Sequence, residues 1–149
     1  MGFFDTEEGV DEYARMAEGF DGRALVELLV EMLPGGGELL ELGMGPGKDL
    51  DMLRAHFTAT GSDTSKVFLR RYAERHPEVE VLELDAVTLA GLGPERRFDA
   101  IYSNKVLHHL TREQLRQALV RQAEVLRGGG VALHSLWHGD EEQEHAGMR

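Results

Sequence analysis

From Leu39 to Leu50 the chain reads Leu-Leu-Glu-Leu-Gly-Met-Gly-Pro-Gly-Lys-Asp-Leu: a short apolar run, then glycine at every second position, Gly43, Gly45 and Gly47, before helix-forming residues resume. Glycine lacks a Cβ, so the backbone can bend sharply there and a ligand can approach it closely. The stretch predicts a strand, a tight loop and a helix opening, a combination that holds polar groups at the helix start.

Known glycine patterns narrow the ligand. A phosphate-binding P-loop requires G-x-x-x-x-G-K-[ST]; ahead of Gly47-Lys48 the first glycine position holds Leu42, and Asp49 stands where Ser or Thr would hold magnesium. A dinucleotide fingerprint requires G-x-G-x-x-G, and the third position here is Lys48, with Gly47 one place early. NAD binding, and with it an NAD-dependent oxidoreductase, stays open as an alternative.

The 149 residues, 42% hydrophobic, form one domain with material for a core. No apolar run approaches the length of a membrane span, and the start, from Met1 to Glu8, lacks the basic-then-apolar order of a signal peptide. The expected protein is therefore cytoplasmic, without membrane contact. Without cysteine there is no thiolate metal site and no thiol nucleophile. A formal charge of −11 disfavours nucleic acid as a partner and tolerates a cationic ligand.

Residues 1–37 read as two helices: Val10 to Phe20, then about Arg23 to Leu33, where Ala24, Leu25, Leu28, Leu29 and Met32 form an apolar stripe stopped by Pro34-Gly35-Gly36-Gly37. Residues 38–137 read as an α/β core. After the glycine loop a helix spans Lys48 to His56, and a β-prone run from Phe57 ends in Asp63, about twenty residues past Gly43. In a parallel sheet that spacing brings Asp63 beside the loop, where a carboxylate can accept both hydroxyls of a ribose; capping of the next helix, Lys66 to His76, is the competing use. Val79 to Leu84 alternates as a half-exposed strand near a sheet edge, and Asp85-Ala86 follow. Phe98 to Asn104 is a further strand ending in polar residues. Thr111-Arg112-Glu113-Gln114 has capping-box form and starts a helix with Leu115, Ala118, Leu119, Ala123 and Leu126 at helical spacing, ended by Gly128-Gly129-Gly130. Val131 to Trp137 is the fifth strand, and residues 138–149 are an acidic tail. Its acids and histidines match no metal-ligand spacing, so no metal is expected. The alternation predicts a doubly wound, mainly parallel sheet of about five strands with helices on both faces.

The spacing E-x-G-x-G-x-G from Glu41 to Gly47 closely resembles the first motif of the class I S-adenosylmethionine-dependent methyltransferases. Gly61-Ser62-Asp63-Thr64-Ser65 resembles their ribose-binding segment. Phe98 to Leu110, with Asp99, Asn104 and Leu107-His108-His109-Leu110, resembles their fourth-strand motif. The resemblance runs from about Tyr13 to Trp137 and implies a Rossmann-like fold, S-adenosyl-L-methionine as cofactor and methyl transfer to a small-molecule acceptor. By position it implies that Glu41 supports the loop and the cofactor's ammonium, and that Gly43, Gly45 and Gly47 give close approach. Asp63 and Thr64 take the ribose, Asp85 and Ala86 the adenine, Asn104 the amino acid end, and Tyr13 lies over the cofactor. His108 is the candidate catalytic residue, since a histidine at neutral pH can take a proton from an acceptor; packing is its other use.

Members of that class usually carry two more strands after the fifth. Their lack predicts an open, apolar edge, hence a shortened chain or a homodimer covering the fifth strand. A non-catalytic S-adenosylmethionine-binding module is the third reading.

Overall fold

The computed structural model describes residues 22–136. Tyr13, Trp137 and the acidic tail lie outside them. Five strands form one all-parallel sheet: β1 (Glu38–Glu41), β2 (Thr58–Asp63), β3 (Val81–Glu83), β4 (Phe98–Asn104) and β5 (Leu126–Ser135), in the order β3-β2-β1-β4-β5. The order reverses between β1 and β4, and in open α/β sheets the crevice outside that switch point is where ligands bind.

Helices α1 (Arg23–Met32), α2 (Lys48–Leu53) and α3 (Lys66–Arg75) follow residue 22 and strands β1 and β2 in turn, and α4 (Arg112–Val125) follows β4. Strand alternation divides the core into two layers. Val26, Leu29, Leu39, Leu53, Phe57, Ala100, Tyr102 and Leu133 pack on the face of α1 and α2, while Leu40, Leu42, Phe98, Ile101, Val125 and Ala132 pack on the face of α4. The doubly wound class read from the sequence is the class observed.

Some boundaries and faces differ. Helix α2 stops at Leu53, three residues before His56, because its chain passes into turns that close on Phe57. In α1 the inward residues are Val26 and Leu29, while Leu28 and Met32 face outward, so the stripe is rotated from the expected one. Strand β3 is only three residues long, as its exposed edge leaves little to pair. The glycines after α4 do not end it: α4 passes straight into β5 at Leu126, and Leu126 pairs Phe98 while Val131 pairs Ala100, so Arg127 to Gly130 bulge out of register. The capping box forms as read, with Gln114 N donating to Thr111 Oγ1 (3.1 Å) and Thr111 N to Gln114 Oε1 (3.0 Å). The inward face of α4 carries Ala118, Gln122 and Val125 rather than Ala123, because Gln122 meets a buried histidine across the layer.

Candidate active site

Parallel pairing fixes where the strand ends lie. Glu41 is level with Gly61 and Tyr102, Asp63 with Glu83, and Asn104 with Ser135, so Glu41, Asp63, the Asp85 turn, Asn104 and Ser135 share one edge of the sheet. At that edge the chain leaves β1 through three glycines with positive φ, Gly43 (67°), Gly45 (55°) and Gly47 (97°). Two have a steric reason independent of any ligand. A Cβ on Gly43 would lie 2.6 Å from Val106 Cγ2, and one on Gly47 would lie 2.4 Å from the Tyr72 ring. The glycines thus let the loop close against the β4 turn and α3 as well as exposing its amides.

Asp63 ties the loop to β2. Its Oδ2 accepts from Gly45 N and its Oδ1 from Ser65 N, both at 2.9 Å. Ser65, not Asp63, supplies the side-chain cap of α3, accepting from Phe68 N at 3.2 Å. A carboxylate has about four acceptor sites, so two amide bonds do not exhaust Asp63. Thr64 is exposed beside it. Asp85 is exposed; its Oδ1 accepts from Val87 N (2.7 Å) and Thr88 N (3.1 Å). That is the turn-forming use of an acid, made through one of its two oxygens. Ala86 is half-buried against the α4-face core.

Glu41 is 3% exposed, and its Oε1 has no hydrogen-bond partner among the described residues. Burial, and then the charges of Asp49, Asp63 and Asp51, push its carboxyl well above the usual carboxylate range. A buried carboxylate with an unused oxygen among other acids is complementary to a cation. S-adenosylmethionine carries a sulfonium and an ammonium, and the residues present fit it.

Asp49 lies at the centre of the edge, which periodicity alone does not reveal. Its Oδ1 accepts from Gly22 N (2.8 Å), and its Oδ2 from Tyr102 OH (2.7 Å) and Asn104 Nδ2 (3.0 Å). Ser135 Oγ donates in turn to Asn104 Oδ1 at 2.5 Å. The Asn104 amide is thereby held at both ends, with one N–H and one lone pair that no described residue uses. The only sequence sign of this set was an acid in the first turn of α2 and a Tyr-Ser-Asn strand end.

Beyond Asn104 the turn Lys105 to His109 forms the wall next to the loop. Lys105 takes a left-handed φ of 60°, and Leu107, 1% exposed, anchors a short 3-10 turn over Leu107–His109. Half-buried His108 lies 3.9 Å from the exposed His109, ring centre to ring centre. Burial, then the charges of His109 and Lys105, lower the His108 proton affinity, against a hydrogen bond that the ring donates to the Lys105 backbone and that raises it. These effects favour the uncharged imidazole.

A family model for a methyltransferase domain matches residues 39–130. The chain is 33% identical over 118 residues to a tRNA (carboxymethyluridine(34)-5-O)-methyltransferase of Arabidopsis thaliana, covering 78% of this chain and 28% of that protein. It is 30% identical over 131 residues to a trans-aconitate 2-methyltransferase of Variovorax paradoxus, covering 85% and 49%. The chain thus spans half or less of the length of these curated relatives. Among solved structures, a TehB-like SAM-dependent methyltransferase from Corynebacterium glutamicum superposes with a TM-score of 0.74 at 23% identity, covering 90% of this chain and 76% of that one. The match from β1 into β5, the strand order and the motif residues gathered at one sheet edge agree: the chain belongs to the class I S-adenosylmethionine-dependent methyltransferases.

Proposed function

We propose that the protein transfers a methyl group from S-adenosyl-L-methionine to a small-molecule acceptor. The observation that carries this reading is the meeting of Glu41, Asp63, the Asp85 turn and Asn104, from four separate strand ends, at the edge where the glycine loop turns. S-adenosylmethionine supplies an electrophilic methyl on a sulfonium. On this reading Glu41 faces the cofactor's positive charge, and Gly43, Gly45 and Gly47 keep the loop close. Asp63 with Thr64 receives the ribose, Asp85 Oδ2 and the Ala86 amide take the adenine, and the free N–H and lone pair of Asn104 take the amino acid end. Tyr13, outside the described residues, is assigned to cover the cofactor.

The protein's work is then positioning and exclusion of water, holding nucleophile, methyl and sulfur in line. His108 is the group we assign to the acceptor side, able to take a proton from an acceptor that has one to lose. The curated relatives are named for a tRNA carboxymethyluridine and for trans-aconitate, acceptors that both bear carboxyl groups. For this chain the net charge of −11 favours a small molecule over an RNA phosphate backbone. A cytoplasmic location and a second copy covering β5 are parts of the same proposal. The second is supported by β5 pairing with β4 alone among the described strands. No helix among the described residues is long and apolar enough to cross a membrane.

Calorimetric titration with S-adenosylmethionine, S-adenosylhomocysteine and NADH tests the reading. Binding of the first two and not the third is the expected result; binding of NADH alone would reassign the protein to hydride transfer.

A further inference from the structure

The acidic and basic groups of the site are not mixed. Glu41, Asp49 and Asp63 line the part formed by β1, α2 and β2, whereas the turn after β4 carries Lys105, His108 and His109. That turn is in contact with the loop: Val106 occupies the space in front of Gly43, so the segment that carries the basic residues borders the glycine loop.

Lys105 is conspicuous within the turn. Its backbone is left-handed, a conformation that is sterically costly for a lysine and free for glycine. The conformation is imposed by β5, since Lys105 N donates to Ser135 O (2.8 Å) and to Ser135 Oγ (3.0 Å). The side chain is exposed, so core packing does not repay the strain. Non-glycine residues in such conformations cluster at ligand clamps, where the side chain itself is needed.

Resting on the methyl-transfer reading above, we propose that the acceptor is a carboxylate, docked at the Lys105–His109 turn with Lys105 as its specificity-determining residue. An amine acceptor arrives protonated at neutral pH, and Lys105 repels it. An alcohol must lose its proton as the methyl arrives, which requires a base. A carboxylate arrives ionised, is drawn to the ammonium, and needs no base. One of its oxygens forms a bond to the methyl carbon while the carbon–sulfur bond breaks. That electron pair stays on sulfur, giving a methyl ester and neutral S-adenosylhomocysteine, and no proton moves. His108 then borders the docked carboxylate as part of the turn and deprotonates nothing. In a chain of net charge −11 an anion needs such a local cation to be admitted at all.

The test uses the full chain saturated with S-adenosylhomocysteine and titrated with trans-aconitate, succinate and benzoate, with glucosamine as the amine control. Two variants isolate the charge: Lys105→Asn keeps a residue that accepts left-handed φ, and Lys105→Arg keeps the cation. At least one carboxylate is expected to bind, with roughly tenfold or greater loss in Lys105→Asn, recovery in Lys105→Arg and unchanged S-adenosylhomocysteine affinity in both. In parallel, methyl label transferred from S-adenosylmethionine should be released as methanol by alkali, as from an ester. Binding of S-adenosylhomocysteine without any carboxylate, equal carboxylate affinity in Lys105→Asn, or alkali-stable label on the amine would overturn the proposal and leave the methyl-transfer reading standing. Failure of the folded protein to bind S-adenosylhomocysteine would remove both.

Discussion

Asn104 Nδ2 donates to Asp49 Oδ2 at 3.0 Å, joining the end of β4 to the first turn of α2 across 55 residues of sequence. The same oxygen accepts from Tyr102 OH, and its partner Oδ1 from Gly22 N, so one carboxylate orders three separate segments beside the cofactor edge. Asp49→Asn puts an amide donor among those donors. We expect it to destabilise the fold by about 2–4 kcal/mol and to weaken S-adenosylhomocysteine binding more than tenfold, read by urea unfolding and calorimetry. A stability loss with intact affinity would leave Asp49 a purely structural residue.

Asp63 joins the loop to β2 and is assigned to the ribose. Asp63→Ala strips Gly45 N and Ser65 N of their acceptor, costing about 1–3 kcal/mol of stability, and should reduce affinity for the cofactor by a factor of ~100. Methylthioadenosine, which retains the ribose, should lose affinity in parallel.

Gly47→Ala tests the close approach of loop to α3. At φ 97° and with its Cβ 2.4 Å from the Tyr72 ring, alanine is strained twice over. A loss of about 2–4 kcal/mol is expected in chemical unfolding. A neutral result would mean that α3 can slide away at no cost.

Two buried groups give opposite pH dependences. Burial pushes His134 down to about 4, where Ser103 Oγ sits 2.6 Å from its Nδ1 and Gln122 Oε1 2.6 Å from its Nε2. Its folded-state affinity for protons is below the unfolded one. The associated stability is therefore present above pH 6.5 and is lost as pH falls toward 4, by about 3 kcal/mol in all. Urea midpoints of the wild type should fall through that window, and those of His134→Phe should fall less.

Glu41 has the reverse sign. Its folded proton affinity is raised, so as pH climbs above the usual carboxylate value the uncomplexed protein loses stability through the cost of charging a buried group. Glu41→Gln should therefore unfold at higher urea than the wild type at pH 8 without cofactor. The same variant should bind S-adenosylmethionine at least tenfold more weakly, because the charge that penalises the empty fold is the one the cation answers.

Much of this architecture was readable before any coordinates, and for specific reasons. The glycine loop and the Thr111–Gln114 box are local patterns, in which residues a few positions apart determine each other's conformation, and Asp63 follows from the length of one helix and one strand between parallel strand ends. The rotated face of α1 was not readable, because Leu28 and Met32 are as apolar as the residues that turn inward. Nor was Asp49, whose partners lie 27, 53 and 55 residues away. The Ser103–His134–Gln122 chain crosses from β4 to β5 to α4, and nothing in helical spacing marks a glutamine as an inward residue.

The contact between Gly43 and Val106 sets limits on how such an enzyme could be retuned. Position 106 is geared to the glycine bend and tolerates little enlargement, since any added bulk must push that bend aside. Positions 105 and 109 point to water and are unencumbered by this fit. Altered acceptor preference should therefore arise by exchange at those two flanking positions, with the valine between them kept as a fixed tooth in the gear.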